Sequence, residues 1–212
     1  MKLLSIDPSL TSSGWSLFDL STGSLIAYGI LSPPKPPLPL SQRLKIFQND
    51  VGELFQTLKL SNKDFLVCEG PGQLVLNPMS SLKVERVRSI FESMARSLGV
   101  MVPGRINPRS VQSEVLGLKG RQADRKTVKE ITRATVNTLF NKELSRHKKV
   151  KQDIIDAIAL GVYVMPRIQN AIQICKSGSR YDFENLIIDS IQPKASQSKR
   201  WSGSAVKARL SQ

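Results

Sequence analysis

Apolar residues follow two rhythms along this chain, and the switches between them outline a fold. Residues 3–6 form a short apolar run that stops at Asp7-Pro8-Ser9, and residues 15–19 and 25–31 repeat the strand-like pattern on either side of Ser21-Thr22-Gly23. A three-stranded meander is expected. The prolines between 33 and 39 fit neither a central strand nor a helix interior, so that stretch should be an exposed connection. From Leu40 the spacing changes, with Leu44, Phe47, Val51, Leu54, Phe55 and Leu58 stepping by three and four along one buried helical face. Residues 65–68 are apolar without alternation, as in a strand buried on both faces, and end at Glu69 before the turn Gly70-Pro71-Gly72.

The second half reads mainly as helix. The pattern predicts a helix over 80–98 stopped by Gly99, a short strand at 100–102, and a helix opened by Asn107-Pro108. A glycine- and lysine-bearing loop at 117–122, a helix over 123–140 and a basic link at 141–151 follow. The last helix covers 152–174, where Pro166 should kink or split it. Strands first in series and then alternating with helices predict an α/β chain, a mixed sheet of about five strands with helices on both faces. We expect one globular domain over 1–175. Residues 176–212 should form a basic extension, partly disordered when free, since Lys194, Lys199, Arg200, Lys207 and Arg209 stand there among serines around a lone Trp201.

Composition narrows the function. With 212 residues the chain can bury one sizeable core, and no apolar run nears the roughly 18 residues that cross a bilayer. The first residues show no small-residue cleavage site, so an intracellular setting, cytoplasm or nucleoid, is expected without a membrane partner. Cys68 and Cys175 make neither a disulfide framework nor a metal-binding motif. Lys and Arg number 31 against 17 Asp and Glu, a net charge of +14, which points to a polyanionic partner and above all nucleic acid. His147 lies in a basic run and suits a phosphate contact better than a general base.

Against that basic background four acids stand out. Asp153 and Asp156 lie three residues apart at the start of a helix, on one face, ahead of the small apolar stretch Ala157-Ile158-Ala159-Leu160-Gly161. Asp7 and Glu69 each close an apolar strand, where side chains at the carboxyl end of a sheet gather into one crevice. Each acid alone has an ordinary explanation as a turn or helix-cap residue. All four being so by coincidence is the poorer account. Clustered carboxylates stay ionised together only with a cation, and oxygen ligands suit Mg2+ or Mn2+. In two-metal sites the ions sit about 4 Å apart, one activating water and the other steadying the leaving oxygen of a phosphodiester.

Leu3-Leu4-Ser5-Ile6-Asp7-Pro8 with Gly14, then Glu69 ending a strand, then Asp153-Ile154-Ile155-Asp156-Ala157-Ile158-Ala159 resembles the RuvC-type Holliday-junction resolvases of the ribonuclease-H-like superfamily. The likeness runs to about residue 164, with softer matches at 40–44, 81–83 and 111–128. It implies a ribonuclease-H-like five-stranded sheet and a homodimer that binds four-way DNA junctions and nicks two strands symmetrically, in recombination and repair. It further implies two Mg2+ ions per active site, replaceable by Mn2+, with Asp7 bridging them and Glu69, Asp153 and Asp156 completing their shells. Candidate DNA contacts are Lys83, Lys119, Arg121, Arg125, Lys126, Lys148, Lys149 and Lys151. Arg125 or Lys126 stands where one family lysine is expected, and Gln112 replaces another. Ser9 stands where the family usually has glycine. The loop after Glu69 lacks the family's aromatic wedge, which leaves Leu74 or Leu76 as the apolar side chains for that role.

Other classes stay in view. Asp7-Pro8-Ser9-Leu10-Thr11 also resembles the phosphate-binding turn of actin-like and sugar-kinase ATPases, but the chain has no second glycine-rich loop and little room for a second lobe. The same carboxylates would serve a nuclease of other branched DNA or of RNA–DNA hybrid. The basic charge alone would serve a junction-binding protein that does not cut.

Overall fold

The computed structural model describes residues 1–71, 78–118, 124–144 and 150–174. Three antiparallel strands open it: β1 (Lys2–Asp7), β2 (Ser13–Asp19) and β3 (Leu25–Leu31). Helix α1 (Leu40–Thr57) leads to β4 (Phe65–Glu69), parallel to β1, and α2 (Pro78–Ser97) leads to β5 (Arg105–Ile106), parallel to β4. Helices α3 (Pro108–Glu114), α4 (Arg125–Leu139), α5 (Asn141–Leu144) and α6 (Gln152–Ile174) complete the described chain. The sheet order is β3-β2-β1-β4-β5, the mixed five-stranded sheet expected. Among the described residues no helix is long and apolar enough to cross a membrane.

Strand parity sorts the sheet's two faces. Leu4, Ile6, Leu66 and Cys68 point into a core with Phe47, Val51 and Phe55 of α1 and Val87 and Phe91 of α2. Leu3, Phe65 and Val67 point the other way, into a core with Val136 of α4 and Ile155, Ile158 and Tyr163 of α6. The odd positions of β1 and β4 therefore face α6. Asp7 and Glu69 are the next odd positions at the carboxyl ends of these neighbouring parallel strands.

Helix α6 sits on that face through unusually small residues. A Cβ on Gly14 would lie 1.9 Å from the Asp153 carbonyl oxygen, and one on Gly161 would lie 2.1 Å from Cε2 of Phe18. Between those points the Ser5 and Ser16 hydroxyls, 2.7 Å apart, reach the Ala157 carbonyl at 2.9 and 3.1 Å. Each hydroxyl has one proton, so one donates to the carbonyl while the other donates to its neighbour.

Two expectations change. The strand over 100–102 shrinks to a single bridge between Phe65 and Met101, and regular pairing resumes only at Arg105. Pro103 has no N–H to donate, and Gly104, at φ 145°, takes the backbone out of the strand region. Pro166 does not split the last helix, which runs unbroken from Gln152 to Ile174. An interior proline costs a helix about 3 kcal/mol, whereas each fully buried large apolar side chain contributes about 1.5–3 kcal/mol. Val164, Ile168 and Ala171 are buried around it while Pro166 itself lies on the exposed side, so packing wins. Part of the basic link, residues 141–144, is the short helix α5.

Gly14→Ala should displace the start of α6 and cost about 1–3 kcal/mol, because the obstacle is backbone. Gly52→Ala on α1 should be tolerated, since its Cβ would meet only the flexible end of Met94 at 3.2 Å. Thermal unfolding of the two variants checks this; equal Tm values would show that the close approach at Gly14 carries no weight.

Candidate active site

All four acids predicted from sequence are described, and the fold brings them to one end of the sheet. Register carries Asp7 level with Glu69 across β1 and β4 and pairs it with Gly14 on β2. Gly14 in turn abuts the backbone of Asp153, so the first turn of α6 hangs over the ends of β1 and β4. All four side chains are half-buried.

Each acid is held. Ser12 Oγ donates to Asp153 Oδ2 at 2.7 Å, and Gln152 Nε2 donates to Asp156 Oδ1 at 2.8 Å. Asp7 and Glu69 end neighbouring strands, near enough for each to shift the proton affinity of the other. Burial pushes the Asp7 carboxyl well above the ordinary carboxylate range, and the charges of Glu69, Asp156 and Asp153 push it further. Glu69 is raised to about 7, first by burial and then by Asp156, against the pull of its bond from Asp7 and the charge of Arg88. Burial also raises Asp156, opposed by the Gln152 amide and by Lys129 and Arg133.

Among the described residues, no three Asp, Glu, His or Cys side chains already stand as a ligand set. The four acids share an electrostatic field, each held by a protein donor or by its neighbour. The donor set is nonetheless all carboxylate oxygen, which suits hard cations, and a cation there would offset the charges that the raised proton affinities of Asp7 and Glu69 oppose.

Two clefts open onto the acids. One, of about 270 Å³, is lined by Asp7, Glu69 and Asp156 and also by Gln112, Arg125 and Lys129. The second, of about 310 Å³, runs from Asp7 and Glu69 to Ser80, Ser81 and Arg88 of α2. Arg88 is only 2% exposed; its Nε donates to the Glu69 carbonyl at 2.7 Å and its Nη1 pairs with Glu85. Arg105 binds Glu92 through two bonds of 2.7 and 2.8 Å and Glu85 at 2.7 Å, completing a charged network behind the β4 end.

Of the predicted DNA contacts, Arg125 and Lys126 lie at the start of α4, where Asp124 caps the helix by accepting from the Lys126 and Thr127 amides. A second groove along α4 is lined by Arg125, Lys126, Lys129, Glu130, Arg133 and Gln152. Lys151 is exposed just before α6, and Lys83 is exposed on α2 but lines neither cleft. Lys119, Arg121, Lys148, Lys149 and the wedge candidates Leu74 and Leu76 lie outside the described residues, as do His147, Cys175, Trp201 and the extension 176–212. Sequence reasoning missed Ser12, Arg88 and Gln152. Ser12 and Gln152 sit beside recognised acids, which was a usable signal; buried Arg88 looks in sequence like part of a solvated helix face.

A mixed sheet in this order, with acids closing two neighbouring parallel strands beneath an acid-bearing helix, defines the ribonuclease-H-like class of α/β fold. No protein-family model matches the chain. It is similar to the crossover junction endodeoxyribonuclease RuvC of Hyphomonas neptunium, 28% identical over 166 residues that make up 76% of this chain and 89% of that protein. In structure it is similar to T. thermophilus RuvC in complex with Holliday junction substrate, with a TM-score of 0.57 and 16% identity over 82% of this chain and 96% of the other. The fowlpox virus Holliday junction resolvase matches with a TM-score of 0.52 and 13% identity, over 79% of this chain and 99% of the other. The resemblance to RuvC-type resolvases thus holds in sequence and in fold.

Asp7→Asn would keep a donor facing Glu69 and remove one buried carboxyl whose ionisation folding opposes. In EDTA at pH 7.5 the variant should gain on the order of 1 kcal/mol, about 2–4 °C in Tm for a chain of this size. Raised carboxyl pKa values mean that the folded state binds protons more tightly than the unfolded one. The stability these carboxyls contribute is therefore fully present below the ordinary carboxylate range and is lost as pH rises through about 7. Calorimetry between pH 5 and 8 should find a shallower fall for the variant; parallel curves would mean that Asp7 and Glu69 do not sense each other.

Proposed function

We propose that this chain is a metal-dependent, structure-specific endodeoxyribonuclease that binds four-way DNA junctions and resolves them by paired symmetric nicks, acting as a homodimer with one site per subunit. The observation that carries the reading is that Asp7 and Glu69 close two neighbouring parallel strands beneath the start of α6, which bears Asp153 and Asp156, in a chain similar to a crossover junction endodeoxyribonuclease. The matching resolvase structures, one of them bearing a Holliday junction, support branched DNA as the substrate.

In this reading Asp7 and Glu69 form the floor of the metal site, and Asp153 and Asp156 close it from α6. Two Mg2+ ions, or Mn2+ in their place, would supply Lewis acidity and an activated water at the scissile phosphate. The protein's own part is positional. Ser12 fixes Asp153, Gln152 fixes Asp156, and Arg88 fixes the backbone of Glu69. Arg125 and Lys129 line the same cleft as the acids, where they would hold the phosphate backbone against a floor that repels it. Lys126 and Arg133 extend that basic wall along α4. Lys83, Lys119, Arg121, Lys148, Lys149 and Lys151 remain the candidates for outer contacts. The missing aromatic wedge falls to Leu74 or Leu76, and junction cleavage by a Leu74→Ala, Leu76→Ala double variant tests that assignment.

The deciding experiment offers the purified protein a labelled four-way junction, linear duplex and RNA–DNA hybrid, each with Mg2+, Mn2+ or EDTA. Paired nicks in the junction alone, abolished by EDTA, are expected. Asp7→Asn should bind the junction as wild type does and cut it slower by roughly 10³-fold or more, the scale of removing a charged participant from a preorganised site. Tight binding without any metal-dependent cut would make the chain a junction-binding protein, and cleavage of the hybrid would move the substrate to RNA–DNA.

A further inference from the structure

Asp156 is connected to a helix that the four acids do not involve. On α4, Arg133 donates through Nη1 to the Val150 carbonyl at 2.8 Å and through Nη2 to Gln152 Oε1 at 2.9 Å. Gln152 then donates from Nε2 to Asp156 Oδ1 at 2.8 Å. The chemistry fixes the direction of this chain. A guanidinium has only donors, so the Gln152 amide must turn its oxygen toward Arg133, which leaves its NH2 group for the carboxylate. The amide cannot flip without placing NH2 against guanidinium and oxygen against carboxylate. Arg133 therefore sets the orientation of Gln152, and Gln152 sets the rotation of Asp156.

From this geometry we infer that Gln152, oriented by Arg133, is a positioning residue that holds Asp156 in the conformation in which it takes up the divalent cation. The inference rests on the metal-dependent reading above. Hydrogen-bond partners behind a metal ligand commonly tune affinity by about 10–100-fold, because they fix the ligand before the ion arrives. The arrangement also explains why a neutral residue stands at position 152. A lysine there would neutralise Asp156 and compete with the cation, whereas an amide directs the carboxylate without cancelling its charge.

The test measures Mn2+ binding to the DNA-free protein by titration calorimetry, for wild type, Gln152→Met, Arg133→Met and the double variant. Methionine keeps the length of glutamine and removes both polar ends. Gln152→Met should bind Mn2+ roughly tenfold more weakly, with Tm within about 2 °C of wild type and unchanged junction affinity in EDTA. Arg133→Met should shift Mn2+ affinity the same way. The double variant should be no worse than the weaker single one, since two links of one chain fail together. Unchanged Mn2+ affinity in Gln152→Met would overturn the inference. So would a loss that tracks a falling Tm, or additive losses in the double variant, either of which would make the chain a strut between helices. A wild-type protein that neither binds Mn2+ nor cuts junctions would sink the functional reading itself, and this inference with it.

Discussion

The seat of α6 on β2 is the constraint on which the site depends. Gly14, Ser16 and Phe18 face the helix in turn, and they meet Asp153, Ala157 and Gly161. The strand advances by two residues between contacts and the helix by four. Two strand residues span about 6.6 Å and four helical residues about 6.0 Å, so three successive contacts stay in step before the mismatch accumulates. At two of them the spacing is set by a missing side chain, and at the third by buried hydroxyls that reach a helical carbonyl. The depth at which Asp153 and Asp156 hang over Asp7 and Glu69 follows from this seat.

Charge placement around the acids follows a second rule. No ion pair among the described residues uses Asp7, Glu69, Asp153 or Asp156, although arginines surround them. Arg88 binds the Glu69 carbonyl and spends its charge on Glu85; Arg133 binds the Val150 carbonyl and the Gln152 amide. Each guanidinium stiffens the backbone or amide beside an acid without closing a salt bridge on it. A bidentate arginine on any of these carboxylates would relieve the repulsion and also fill the place a cation needs. The raised proton affinity of Asp7 and Glu69 comes first from burial, and the neighbouring acids add to it because no ion pair offsets their charge.

The acids were legible in the sequence because they end apolar runs, and strand alternation carries Asp7 and Glu69 to the same face once Leu3 and Phe65 are known to be core. Asp153 and Asp156 were legible from helical spacing ahead of a small apolar stretch. Their supports were not. Whether Ser12 or Gln152 reaches an acid depends on contacts fixed only when α6 docks, across 141 residues of sequence for Ser12 and Asp153. Arg88 and Glu92 read as an exposed charged face but are buried, since the partner that makes this tolerable, Arg105, arrives on another element. The edge strand was misplaced for a local reason. Val100, Met101 and Val102 have strand composition, yet Pro103 and Gly104 break the ladder, and pairing resumes at a residue whose side chain serves the ion network.

The chain carries a net charge of +14, while the floor of its cleft concentrates negative charge, and the two halves of that contrast act at different ranges. The basic excess acts over roughly a Debye length, about 8–10 Å at moderate salt, and draws a polyanion to the surface whatever its sequence. The acids act within the cleft, whose lining they share with Arg125 and Lys129. A phosphate brought to the mouth by the outer charge meets repulsion from the floor until a cation or protons neutralise it. Binding and chemistry are thereby assigned to different charges. If the chain acts as proposed, a substitution in the floor that removes a carboxylate would take away the means of cutting and leave the basic residues that hold the phosphates, so that affinity and cleavage would separate.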